Sequence, residues 1–127
     1  QAYYSTDIDI EDQPLNGNCL YKLSGEDIDS RWWSITAYAS DGYLIENTEK
    51  LYSYNSETVN FNSNGGFEIY FLGNNNFISN VSNENWLRVN QDENFNISLR
   101  IYYPGEEFFS NLKRVNLPIV EKVDCAE

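Results

Sequence analysis

Between Phe95 and Tyr103 the side chains alternate without a break, with Phe95, Ile97, Leu99, Ile101 and Tyr103 on one side and Asn96, Ser98, Arg100 and Tyr102 on the other. A period of two over nine residues fits only a β-strand with one buried face, because successive side chains of a strand point to opposite sides of its sheet. The same alternation recurs in shorter form. Trp33, Ile35 and Ala37 alternate with Trp32, Ser34, Thr36 and Tyr38, and Phe67, Ile69 and Phe71 alternate with Glu68, Tyr70 and Leu72. Tyr4, Thr6, Ile8 and Ile10 are expected on the inner side of a first strand over 2–10, with Ser5, Asp7 and Asp9 outside. Leu20 to Leu23, Tyr43 to Ile45, Leu51 to Tyr54, Thr58 to Phe61 and Leu117 to Val120 read as further short strands, the last an edge strand that tolerates Pro118.

The punctuation agrees. Pro14 to Asn18, Asp41-Gly42, Asn64-Gly65-Gly66 and Pro104-Gly105 are turn signals. The Asn-rich stretch 73–85 is expected as the longest loop, exposed and mobile at a rim, and Glu106 to Leu112 as a helical turn or two. Residues 1–127 are therefore read as one all-β domain: a two-sheet antiparallel β-sandwich, jelly-roll-like, with Ile35, Phe67, Ile69, Phe71, Phe95, Ile97, Leu99 and Ile101 in its core.

Charge and residue types then narrow function. Twenty Asp and Glu against eight Lys and Arg give a net charge of -12, and there is no His. Nucleic acid is excluded as a partner by that balance, since its backbone demands clustered positive charge. No apolar run approaches the ~20 residues of a membrane span, so no membrane insertion is expected. Without His the commonest zinc ligand and neutral-pH base are missing, and no metal site or cofactor is expected. The acidic run Asp7, Asp9, Glu11, Asp12 with Glu26, Asp27 and Asp29 offers oxygen ligands for Ca²⁺, but lacks the EF-hand loop and reads better as a solvated face.

Cys19 and Cys125 lie near opposite ends of the chain. Two separate thiols, an interchain link and an intrachain bridge are all compatible with this, and the bridge is the expectation, tying the C-terminal segment to the second strand. Gln1 in place of an initiator Met reads as a processed precursor or a fragment. With the bridge it points to a secreted, periplasmic or cell-surface location. Asn80 and Asn96 each open an Asn-x-Ser acceptor pattern for glycans.

Aromatics make up 16% of the chain, high enough to ask which rings lie outside the core. Trp32 and Trp33 are adjacent, so they face opposite ways. An exposed Trp32 beside Tyr38 and Tyr70 would stack on a sugar or anchor a protein partner. The plainer alternative puts Trp33 and Trp86 in the core and Trp32 under a loop. Arg100 is expected to pair with one of the many carboxylates.

The segments Tyr3-Tyr4, Gln13-Pro14-Leu15-Asn16-Gly17, Trp33-Ser34-Ile35-Thr36-x-Tyr38, Asp41-Gly42-Tyr43 with Asn47, Tyr52-Ser53, Gly66 with Ile69-Tyr70, Asn85-Trp86-Leu87 and Leu99-Arg100-x-Tyr102-x-Pro104 follow one another in an order that resembles domain of unknown function 1214. The resemblance runs from Ala2 to about Val123. It departs at Arg88-Val89-Asn90, where Pro-Ala-Pro is usual, and at Lys50-Leu51-Tyr52, where Asn-Arg-Tyr is usual. It implies a jelly-roll-like β-sandwich, often placed after domain of unknown function 1254 in larger exported or envelope proteins, and no established reaction, substrate or cofactor.

Three classes of function follow. The foremost is a noncatalytic exported protein acting as a structural or assembly subunit or protein-interaction module, its partners other copies of itself or another envelope or extracellular protein. A glycan-binding module is the alternative within that class. The second is a carboxylate-based hydrolase acting on carbohydrate, drawing on Asp7, Asp9, Glu68, Glu106 or Glu107. A domain that stabilises a neighbouring domain is the third.

Overall fold

The structure is a computed structural model that describes residues 2–47, 50–81, 85–105 and 117–126. Among the described residues eight strands form two four-stranded sheets: β1 (Ala2–Thr6), β2 (Cys19–Glu26), β3 (Ser30–Ala39), β4 (Ser53–Asn55), β5 (Gly66–Leu72), β6 (Trp86–Arg88), β7 (Phe95–Pro104) and β8 (Ile119–Cys125). The first sheet has the order β1-β7-β3-β4 and the second β6-β5-β2-β8. Every pairing is antiparallel except β5 with β6, which run parallel at the edge of the second sheet. The expected all-β sandwich is what the chain forms.

Its core lies between the sheets. Trp33, Ile35, Phe67, Ile69 and Ile101 are fully buried there, and Phe71, Phe95, Ile97 and Leu99 join them. The Trp33 ring stacks on Phe67 with centroids 4.8 Å apart, and its indole N–H donates to the Asp27 carboxylate at 3.1 Å. That partner lets a polar-tipped ring fill the centre without an unsatisfied donor.

Cys19 and Cys125 face each other across β2 and β8 and are joined by a disulfide, as expected.

The local differences from the sequence reading have identifiable causes. The first strand stops at Thr6 because the buried Asp9 carboxylate accepts the backbone N–H groups of Glu11 and Gln13, turning the chain. Ile8 and Ile10 therefore stand exposed, not inside. The Asp41-Gly42 turn forms, with Gly42 at φ 88°, but the return segment makes only one bridge, Tyr38 with Leu44. Residues 58–61 form no strand. Instead Asn85, itself buried, accepts from the Asn60 N–H and donates to the carbonyls of Asn60 and Glu68, pinning that segment so that Val59 is buried.

The expected rim loop at 73–85 contains a 3₁₀ helix, Asn75–Asn80, capped by the Asn74 side chain. It is not an exposed loop: Phe77 and Val81 are buried against Leu20 and Leu72 on the outer face of the second sheet. Those two leucines are the reason, since an apolar outer face requires a cover. The three-residue β6 carries too short a pattern to read from sequence. The expected helix at Glu106 to Leu112 lies outside the described residues.

Candidate functional site

The outer faces of the two sheets differ in kind. On the second, Leu20 and Leu72 lie under the 3₁₀ helix, with Tyr70 and Trp86 packed at the margin. The Arg88 guanidinium sits over the Trp86 ring, 5.5 Å from its centroid, and donates to the Asn75 side chain. Lys22 and Glu68 pair at 3.4 Å beside them.

The first sheet carries no element across its outer face among the described residues. Strand register arranges that face in rows. Ser5, Ser98, Thr36 and Ser53 fall level across β1, β7, β3 and β4, giving a line of hydroxyls. Above it, Tyr3, Arg100, Ser34 and Asn55 are level, and beyond them Tyr102 and Trp32, whose rings contact at 5.3 Å. Below it, Asn96 pairs with Tyr38. The face therefore holds hydroxyls, amides, one guanidinium and aromatic rings, with no aliphatic side chain in those rows.

A groove of about 520 Å³ crosses this face, lined by Tyr3, Ser5, Asp7, Tyr38, Asn96, Ser98 and Arg100. Its floor is fixed by the ladder: Ser98 is 2% exposed and its hydroxyl hydrogen-bonds with that of Tyr3 at 3.1 Å. The Arg100 guanidinium lies 5.8 Å from the Tyr3 ring centroid. That contact takes the place of the expected carboxylate partner, since the only ion pair among the described residues joins Lys22 to Glu68.

The structure thus brings Tyr38 into a groove, sets Trp32 further along the same face against Tyr102, and places Tyr70 on the opposite sheet. The three rings expected to act together do not converge. Asn96 lines the groove and the serine of its pattern, Ser98, is buried, whereas the pattern beginning at Asn80 runs into residues outside those described. Trp33 is the core tryptophan, while Trp86 is only partly buried.

The carboxylates do not converge either. Asp7 lines the groove, Asp9 caps a turn, and Glu68 pairs with Lys22 on the other sheet. Glu106 and Glu107 lie outside the described residues. No group of three His, Cys, Asp or Glu side chains is placed to hold a metal ion among the described residues.

Sequence reasoning missed Tyr3, Ser98 and Asn96 as groove residues. The signal was present as alternation, because all three are the outward members of their strands. Only the pairing of β1 with β7, across most of the chain length, reveals that they share a surface. The shared segments with Leu15, Gly17 and Asn85 are structural. Leu15 is fully buried, a side chain at Gly17 would collide with the Asn90 carbonyl, and Asn85 anchors residue 60.

Residues 1–106 match the family model described as "Protein of unknown function (DUF1214)". Among solved structures, the fold is similar to the VPA0106 protein of Vibrio parahaemolyticus, with a TM-score of 0.78 and 21% identity over 97% of this chain and 30% of that one. It is also similar to an uncharacterised protein of Burkholderia cenocepacia, with a TM-score of 0.57 and 12% identity over 97% of this chain and 35% of that one. The chain thus spans about a third of the length of either protein. No curated protein matches it in sequence.

Proposed function

The chain belongs to the DUF1214 family, and we propose that this member is a noncatalytic interaction module of an exported protein, with the outer face of the β1-β7-β3-β4 sheet as its contact surface. One observation carries the reading: of two outer sheet faces, one is covered by the chain's own 3₁₀ helix, and the other, uncovered among the described residues, holds a polar, ring-lined groove. Grooves with rings and convergent polar groups are where ligands and partners bind. The two solved relatives, each about three times as long, support a part played within a larger protein. The disulfide fits an oxidising compartment, hence a secreted, periplasmic or cell-surface location.

Site-specific photocrosslinking tests this. Benzoylphenylalanine in place of Tyr38 is expected to trap a discrete partner in the native source, and in place of Lys22 on the covered sheet to trap none. Equal trapping from both positions, or none from either, overturns the assignment of the face.

A second reading, assembly with other copies, has its own support. Ile119 and Val123 on the edge strand β8 are exposed, and so are Ile8 and Ile10 beside it, where the Ile10 N–H donates to the Val120 carbonyl. Exposed apolar groups at a sheet edge favour edge pairing. At -12 per copy such an assembly should strengthen as salt screens repulsion. A species that sediments as a monomer at both low and high salt removes this reading.

A further inference from the structure

We propose that the groove on the first sheet binds an oligosaccharide carrying a carboxylate, of the uronic-acid class, with the carboxylate held by Arg100 beside Tyr3 and a sugar ring resting on Tyr38. The inference rests on the reading of that face as the contact surface and adds the class of ligand.

The dimensions come from the register. Tyr3 is level with Arg100, and Tyr38 is level with Asn96, four residues away on β7. The two tyrosines sit on strands two apart, so their Cα atoms are separated by roughly 10 Å across the sheet and roughly 13 Å along it. The groove between them is therefore long and shallow, shaped for an extended chain.

The chemistry of its floor selects among extended chains. A protein anchor needs an apolar, desolvated pocket, and the rows between the rings hold Ser5, Ser98, Thr36 and Asn96 instead. A nucleic acid needs several cations, and the groove has one. A pyranose offers what these side chains complement: one flat C–H face for an aromatic ring and a rim of hydroxyls for amide and hydroxyl partners.

Charge then fixes the class. Arg100 is exposed and makes no ion pair among the described residues, in a chain with twenty carboxylates. The guanidinium lies 5.8 Å from the Tyr3 ring centroid, a contact that uses none of its N–H groups as a hydrogen-bond donor to a carboxylate and leaves its fork to one in two parallel hydrogen bonds. Asp7, four residues beyond Tyr3 on the same edge, gives the far end of the groove the opposite sign. A bound segment is thereby oriented, its carboxylate toward Arg100 and a neutral, hydroxyl-rich residue toward Asp7.

Titration calorimetry with tetrasaccharides in which galacturonate or glucuronate alternates with a neutral sugar, set against cellotetraose and mannotetraose, tests the assignment. At least one acidic tetrasaccharide is expected to bind more tightly than either neutral one. Tyr38→Ala should weaken it about tenfold through lost ring contact. Arg100→Gln should weaken the acidic ligand about tenfold and leave neutral ones unchanged, and Arg100→Lys should fall between, because a point charge lacks the fork. Lys22→Gln on the other sheet should change nothing, and each variant's thermal transition reports that it is folded. Preference for the neutral sugars, an equal effect of Arg100→Gln on both kinds, or no binding by any acidic tetrasaccharide overturns the proposal. If binding is absent while crosslinking at position 38 still traps a partner, the ligand class fails and the contact surface stands.

Discussion

Replacing both Cys19 and Cys125 with Ser removes a link between residues 106 apart in sequence. Both side chains are only partly buried, so the native state loses little packing. The main effect falls on the unfolded chain, which regains the freedom that the closed loop denied it. For a loop of this length the chain-entropy relation gives about 4–5 kcal/mol. Domains of this size have about 5–15 kcal/mol in total, so the variant should fold at low temperature and lose much of its structure near 37 °C. Urea titration, followed by the fluorescence of the buried Trp33, should show a lower free energy of unfolding. It should also show a steeper dependence on urea, because an unlinked chain exposes more surface when unfolded. A loss under about 1 kcal/mol with an unchanged slope would refute the reasoning, meaning that the reduced unfolded state is already as compact as the linked one.

Truncating Leu99 to Ala, in the strand at the heart of the first sheet, should cost about 2–5 kcal/mol by the same titration, and a loss under 1 kcal/mol would contradict its burial. Asn85→Ala removes the anchor of residue 60 and should cost at least about 2 kcal/mol, with faster amide exchange at Asn60 as the specific sign. Burial raises the Tyr21 hydroxyl above its ordinary pKa of 10.0, with the negative charge of Asp9 adding to the rise and the Asn16 N–H opposing it. The folded state therefore holds this proton more tightly than the unfolded chain, so its contribution is complete below pH 10.0 and is lost as pH climbs through the folded value. Tyr21→Phe should shallow the alkaline loss of stability, and spectrophotometric titration should show the missing tyrosine among the late-titrating ones.

Alternation made the inner faces legible: every residue expected in the core from β3, β5 and β7 is there, because burying one face of a strand leaves its pattern in the sequence. The outer faces were harder. Leu20 and Leu72 read as surplus apolar residues, and nothing local in the Asn-rich 73–85 segment says that Phe77 and Val81 return to cover them. Tyr38 was legible as an outward ring, yet its neighbours were not. Asn96 reaches it through the pairing of β3 with β7, and Tyr3 through that of β1 with β7. Tyr70 shares the outward position of Tyr38 within its strand but belongs to the other sheet, a distinction that periodicity does not carry. Asp9 reads as one more surface acid, whereas its carboxylate is what ends the first strand.

The pairing of β7 with both β1 and β3 also sets an order in time. Until β7 exists, β1 has no partner and β3 has only the short β4, while β8, the last strand, closes on β2 from across nearly the whole chain. Contacts so distant in sequence make for slow folding, since loop entropy must be overcome before any pairing is gained. A chain emerging from the ribosome cannot complete the first sheet before β7 is free, nor the second before β8 is free. During that interval the strand carrying Tyr3 and Tyr4 is an unpaired edge, open to misassociation. The interval is also when an unfolded polypeptide can still be threaded through a narrow channel, and the distant pairings of β1 with β7 and β2 with β8 lengthen it.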